Sequence, residues 1–413
     1  MFKDNYKPIP ASRSLHPATK TMPPIKYFLA EDTIDKQDID KLIDWLKTYP
    51  RLTKGPLTLE FEKKWSDWIG QKHSVLCNSG SSANLMMYYC LLLSGRLKNK
   101  KIIVPSVGWV TTISPAIQLG FEPIMCEADP DTFGLDLGHL EELIQKHDPG
   151  SVILVQVLGL PHKIEKVLEL KEKHNFFLLE DACAALGSSY KGKKVGSFGD
   201  MASFSFYFGH QISVIEGGAV STNDPGFKDL LLMIRSHGWD KDLGLDKKGE
   251  LIKKYHVDNF HAPFVFYIPG FNLRSTDLNA FIGLGQIEKM DWLAKRRDEN
   301  HSLYAQLLGR KLYIQKWNPQ DSLICSIHFG ALAKDTEERR KIVKALEDNG
   351  IETRIFSAGN LGLHPFWFER YGEFHAPTAD RIHHTGFFLP NNPSLKKEDI
   401  EFISKVVLNT IDG

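Results

Sequence analysis

The segment CNSGSSANL, residues 77–85, sets Gly80, Ser81 and Ser82 at the start of a helix. Unpaired backbone N–H groups and the helix dipole favour an anion there, and phosphate is the natural guest. An ordinary serine N-cap would give the same pattern. In LLEDACAALGS, residues 178–188, Asp181 ends a buried strand, where a carboxylate must be paired. A protonated pyridine nitrogen is one suitable partner, and the start of a neighbouring helix is another. Trp109, in VPSVGWVTT (104–112), follows a further strand, so its indole either covers a flat ring by offset stacking or packs in the core. SFYFGHQISVIEGG (205–218) runs from a strand through a tight polar turn to a glycine pair, with His210 on the turn. Histidine's unperturbed pKa of about 6.5 makes it a base near working pH.

These residues need elements that bring them together. The apolar runs KIIVPS (101–106), SVILVQVLG (151–159) and FFLLEDA (176–182) are each followed by polar turns and helical patterns such as KIEKVLELKEKH. Continuous apolar strands alternating with helices predict a mostly parallel sheet with helices on both faces. Ligands of such sheets sit at the carboxyl ends of the strands, where the polar residues above fall. Beyond about Asp291, RRDENHSLYAQLLG, SIHFGALAK and ERRKIVKALEDNGIET mix helices with short strands. The expected organisation is an N-terminal arm over 1–30, a large domain over 31–290 and a smaller α+β domain over 291–413. The arm, with prolines at 8, 10, 17, 23 and 24, reads as an extended segment lying over a neighbouring subunit.

Composition narrows the function. The 51 basic and 51 acidic residues of this 413-residue chain cancel, without a basic block to capture nucleic acid. No apolar run approaches the roughly 20 residues of a membrane span, and the start lacks a signal peptide's apolar stretch, so a cytoplasmic location is expected. Cys77, Cys90, Cys126, Cys183 and Cys325 are odd in number and show no C-x-x-C spacing. They read as buried free thiols, with no metal site, iron–sulfur cluster or disulfide framework.

Taken in order, GPLTLEFEKKW (55–65), CNSGSSANL, EDACAALGS, GSFGDMASFSF (196–206), EGGAVST (216–222), RSHGWD (235–240) and GFNLRSTDLNAFIGLGQ (270–286) resemble the sugar aminotransferase family over nearly the full chain. The resemblance implies the fold type I aspartate aminotransferase architecture and pyridoxal phosphate or pyridoxamine phosphate as cofactor. It implies that Gly80, Ser81, Ser82 and Ser205 hold the cofactor phosphate, that Trp109 stacks on the ring and that Asp181 pairs with its nitrogen. Asn272 would reach the phosphate from a second subunit, which requires a homodimer.

Where this family carries a lysine, His210 stands, and histidine cannot hold the cofactor as a stable imine. One branch shares this exchange: the sugar 3-dehydratases, which remove the C3 hydroxyl of a nucleotide-linked 4-keto-6-deoxy sugar with release of ammonia. One kind of 3-dehydratase needs an iron–sulfur cluster, whose grouped cysteines are missing here. The resemblance therefore implies the cluster-free kind, with a GDP-linked substrate, His210 as base, and glutamate restoring the amine form of the cofactor. His237, Arg354 and His364 are the expected substrate contacts, although a surface salt bridge or a structural histidine would explain the first two equally. A catalytically lost relative with a regulatory or scaffolding role is the alternative. Two departures stand out. Ala184 occupies a position where the family usually carries an acid or amide for the cofactor's ring hydroxyl, and Leu363 and His364 in TRIFSAGNLGLHPFW (353–367) replace the dehydratases' Arg-Gln. Gln211 follows His210, where that branch often has a second histidine.

Overall fold

Ile102 and Val104 point to one face of the strand Lys101–Pro105, Ile103 points to the other, and all three are fully buried. The same two-sided burial recurs in Ser151–Val155 and Phe177–Asp181, as expected of strands covered by helices on both faces. The computed structural model, which describes residues 23–161 and 163–413, assembles them into a seven-stranded sheet. Its order is His73–Cys77, Gly218–Thr222, Met201–Ser205, Phe177–Asp181, Ser151–Val155, Lys101–Pro105 and Glu122–Cys126. All pairings are parallel except the two made by Gly218–Thr222, which runs against both of its neighbours.

One face packs on Gly80–Leu93, Val110–Gln118 and Pro225–Arg235. The other is covered at one end by Pro56–Ile69 and Asp277–Ile287, and at the other by Leu137–His147 and Ile164–His174. The helix Met290–Leu308 leaves this core: Met290 and Leu293 pack with the large sheet, whereas Tyr304 and Leu308 belong to a second core. That second core lies on a small antiparallel sheet of Tyr313–Ile314, His328–Leu332 and Gly386–Pro390, with the helices Thr336–Asp348 and Lys397–Asp412.

Most of the expected N-terminal arm lies outside the described residues. Its last part, 23–30, docks on the second core of this same chain: Lys26 N–H donates to Gly350 O, Tyr27 bridges Ile351, and Leu29 is buried. A cluster of three or more metal-ligating side chains does not occur among the described residues, and no described helix is long and apolar enough to cross a membrane. All five cysteines are free; Cys183 is only partly buried and the other four are buried.

Buried histidines give the fold an acid sensitivity. His301 and His328 are both almost fully enclosed, and desolvation pulls His301 down to about 3 and His328 well below its ordinary value. In the unfolded chain both take a proton near pH 6.5, so below that pH the unfolded state binds more protons and stability falls. Each contributes a slope of up to about 1.4 kcal/mol per pH unit between about pH 6 and 4. Urea unfolding of the cofactor-free protein at pH 7.5 and pH 5 should show this loss. His301→Asn, which offers Ser326 Oγ either a donor or an acceptor, should flatten the slope by about one proton.

Candidate active site

Asp181 closes its strand with its carboxylate almost fully buried, 6% exposed. Oδ2 accepts from Asn84 Nδ2 at 2.9 Å and from Thr112 Oγ1 at 2.6 Å, and Oδ1 accepts from Cys183 N–H at 3.2 Å. Ser203 Oγ donates to Asn84 Oδ1 at 2.7 Å, which fixes the amide so that its nitrogen faces the acid. Tyr88 O–H donates to Thr112 O at 2.6 Å and holds the start of the second donor's helix. Every donor to Asp181 is neutral, and no lysine or arginine pairs with it among the described residues. A buried carboxylate so arranged lacks only a cation. The donor set fits a protonated ring nitrogen.

The expected phosphate turn begins the helix Gly80–Leu93. Ser79 caps it, accepting from Ser82 N–H at 3.0 Å and leaving the amides of Gly80 and Ser81 free for an anion. A methyl group added at Gly80 would lie 2.6 Å from Ser205 Cβ, and one added at Gly218 would lie 2.3 Å from Ser79 O. The glycine of EGG thus lets the antiparallel strand pass directly beneath the turn, while Gly80 lets Ser205 come up to its rim. Ser205, predicted to share the phosphate, is therefore in contact with the turn.

Between Ser205 and Gly218 the chain forms a broad loop. Phe206 N–H donates to Gly217 O, Val214 N–H to Phe206 O, and Asn279 Nδ2 to Val214 O, so its base is tied down. His210 N–H donates to Tyr207 O and closes the turn at the tip. The imidazole is half-buried with Nδ1 enclosed and without a partner. Desolvation pulls it down to about 4; Asp181 acts against that fall, and Arg354 and Arg297 add to it. His210 is consequently neutral at pH 7, a base with a free lone pair. Arg297 is fully buried and donates to the carbonyls of Ser326, Ile327 and Asn391 through Nη1. Arg354 makes no ion pair among the described residues and lies over the Phe388 ring at 5.3 Å. His328 packs on the same ring at 4.9 Å.

Trp109 is 52% exposed at the N-cap of Val110–Gln118, which removes the core-packing alternative and leaves an indole face open beside Asp181's donor helix. His364 Nε2 donates to Ala358 O at 2.8 Å, and Ser357 Oγ to Gly108 O, so this loop folds over the strand end that carries Trp109. Asn272 and His237 are exposed residues on two segments joined by the Ser236–Asn272 bridge, and the residues after Asn272 run beside the entry to the phosphate turn, where Asn78 N–H donates to Leu273 O and Cys77 bridges Arg274. His237 adopts φ +62°, an unusual backbone for a non-glycine residue, and Asn272 Oδ1 accepts from Arg274 Nε. Neither makes a hydrogen bond to Asp181, Ser205 or His210.

The sequence reading missed Asn84, Thr112, Ser203, Arg297 and His328. Asn84 was visible in the phosphate motif, since an amide in an otherwise apolar helix face signals a buried partner. The remaining four had no local signal.

Residues 32–408 match the DegT/DnrJ/EryC1/StrS aminotransferase family, and the chain belongs to it. Among curated relatives it is 31% identical over 347 residues to the GDP-4-keto-6-deoxy-D-mannose 3-dehydratase of Yersinia pseudotuberculosis, covering 82% of this chain and 86% of that protein. It is also 30% identical over 332 residues to the GDP-perosamine synthase of Caulobacter vibrioides, covering 79% of this chain and 83% of that one. Among solved structures, the Escherichia coli GDP-4-keto-6-deoxy-D-mannose-3-dehydratase with bound hydrated PLP superposes with a TM-score of 0.84 at 26% identity, covering 93% of this chain and 100% of that one. A GDP-4-keto-6-deoxymannose-3-dehydratase with a trapped PLP–glutamate geminal diamine gives 0.83 at 26% identity, covering 92% and 100%.

Proposed function

We propose that this protein is a cytoplasmic, homodimeric enzyme that removes the C3 hydroxyl of a GDP-linked 4-keto-6-deoxy sugar, with glutamate as amino donor. One observation carries the reading: a neutral histidine with an unpartnered ring nitrogen stands on the turn near Asp181, where a lysine would make an aminotransferase. The nearby lysines cannot take its place. Lys191, Lys193 and Lys194 lie on a hairpin, where Lys191 pairs with Glu165 and Lys194 covers the Trp68 ring.

Pyridoxamine phosphate, when bound, supplies the amine and the electron sink that allow the C3 hydroxyl to leave. Asp181 would keep its ring nitrogen charged, Gly80, Ser81, Ser82 and Ser205 would hold its phosphate, and Trp109 would cover one ring face. Asn272, an exposed side chain, would reach the phosphate of the partner subunit. His210, uncharged at pH 7, would be the base that removes a proton from the carbon bearing the cofactor's amine. The two arginines that disfavour its protonated form also favour giving that proton up again to the departing hydroxyl. Arg354, which makes no ion pair among the described residues, would meet the diphosphate or the donor's carboxylate, alongside His237 and His364.

The test is to supply GDP-4-keto-6-deoxymannose, pyridoxamine phosphate and glutamate to the purified protein. Ammonia and 2-oxoglutarate should appear in equal amounts, with a sugar product lighter by one oxygen. A 4-amino sugar without ammonia would make it an aminotransferase, and failure to bind either cofactor form would favour the scaffolding role. CDP- and dTDP-linked sugars in parallel set the nucleotide. A monomer by light scattering would remove the shared-site role of Asn272.

A further inference from the structure

Gln211 is completely buried, yet it sits one residue past His210 at the tip of a loop. Its Nε2 donates to Ala184 O at 2.9 Å and to Cys325 O at 2.7 Å. Two carbonyl acceptors settle which end of the amide is nitrogen. Oε1 is then left enclosed without a donor. An orphaned buried acceptor is destabilising, and what offsets it here is the pair of bonds that the amide nitrogen makes. The side chain is therefore kept for what its nitrogen holds.

Both anchors matter. Ala184 lies three residues beyond Asp181, whose Oδ1 already accepts from the intervening Cys183 N–H. Cys325 N–H is itself held by Ser188 Oγ at 2.9 Å, and the two residues after it are held by Arg297. Among the described residues the other hydrogen bond within 207–211 is the Tyr207–His210 backbone bond, Ser213 N–H beyond it is held by Thr33 Oγ1, and residues 207–209 reach the surface. We propose that Gln211 is a positioning residue. By bridging the segment after Asp181 to the Cys325–Ile327 segment, it sets the distance between the His210 base and the carboxylate that holds the cofactor ring. This rests on the dehydratase reading for its effect on rate, while its effect on the imidazole does not.

The experiment uses full-length Gln211→Met and Gln211→Glu, each compared with wild type for thermal stability, cofactor affinity, kcat, KM and histidine ring titration by NMR. The His210 signal is assigned by its loss in His210→Asn. In Gln211→Met the turn loosens and water reaches the ring, so the His210 pKa should rise by about one unit or more toward 6.5. Its kcat should fall about 10- to 100-fold at similar KM and cofactor affinity, the scale of a roughly 1 Å misplacement. In Gln211→Glu a protonated acid can still donate to one carbonyl, whereas the carboxylate repels both. Its activity should fall as pH rises through the raised carboxyl pKa, over a range where wild type is flat. If wild type shows no ammonia release, the dehydratase reading fails and the ring titration alone decides the positioning role. Folded variants whose His210 titration is unchanged, with kcat within about twofold of wild type where activity is present, would overturn it.

Discussion

His210→Asn should leave the protein folded and able to bind pyridoxamine phosphate, and should lower ammonia release by about 10²- to 10⁴-fold, the usual contribution of a positioned base. Among the described residues the imidazole makes no side-chain hydrogen bond: its Nδ1 is unpartnered, and the backbone N–H, which asparagine preserves, closes the turn. The groups expected to hold the cofactor sit on other segments, around Asp181 and at the start of Gly80–Leu93. Affinity and rate should therefore separate. A companion pH series checks the same group. With the wild-type pKa pulled down to about 4, the base stays unprotonated as pH falls through the ordinary histidine range, and the acid limb of kcat/KM should lie below pH 6. Full turnover by the asparagine variant would sink the assignment, and an acid limb centred at about 6.5 would show that burial does not hold His210 below its ordinary value in the working enzyme.

How far the sequence could lead is best seen block by block. The strand ends and the turns that follow them are local signals, so spacing and resemblance single out Gly80 to Ser82, Trp109, Asp181, Ser205 and His210 as candidates. Several blocks that carried the resemblance proved to be supports for these elements. In GPLTLEFEKKW the helix starts at Gly55, which has no side chain to cap it. Asp277, from the STDLN block, accepts from Gly55 N–H, Thr58 N–H and Thr58 Oγ1 instead. In GSFGD the turn is held by buried Glu180, which accepts from the N–H groups of Gly196, Phe198 and Gly199, and burial raises its pKa. Arg235 of RSHGWD is buried against Glu62 and Asp242.

What could not be read depends on distant chain segments. Gln211 bonds a carbonyl 114 positions away, and Arg297 reaches 94 positions to Asn391 O. A side chain bound to a backbone carbonyl leaves no residue-type signature at the acceptor, so no spacing rule finds it. Thr112 and Ser203 look like ordinary helix and strand residues until the fold brings them to Asp181 and Asn84. The contacts of the arm's end are of the same kind. Its prolines said that it was extended, while its docking on Gly350 and Ile351 is a tertiary fact.

Asp181→Asn should divide cofactor binding from folding. The substituted amide can keep its oxygen in the Oδ2 position, still accepting from Asn84 and Thr112, and puts nitrogen where Oδ1 now accepts a long 3.2 Å bond from Cys183. The cofactor-free variant should thus unfold within a few degrees of wild type, since a buried charge without a cation is being replaced by a neutral isostere. With pyridoxamine phosphate the comparison reverses. The wild-type carboxylate gains the cation it lacks, and leaving a buried charge without its partner costs about 3–5 kcal/mol. That corresponds to a loss of about 10²- to 10⁴-fold, shared between affinity and turnover, because a ring nitrogen that is no longer kept protonated is a poorer electron sink. The rise in melting temperature on adding the cofactor should shrink accordingly, since that rise follows the ratio of ligand concentration to Kd. Paired melting curves with and without pyridoxamine phosphate, followed by ammonia release, measure both halves. Equal ligand-induced shifts in the two proteins would show that Asp181 is not the group that pairs with the ring.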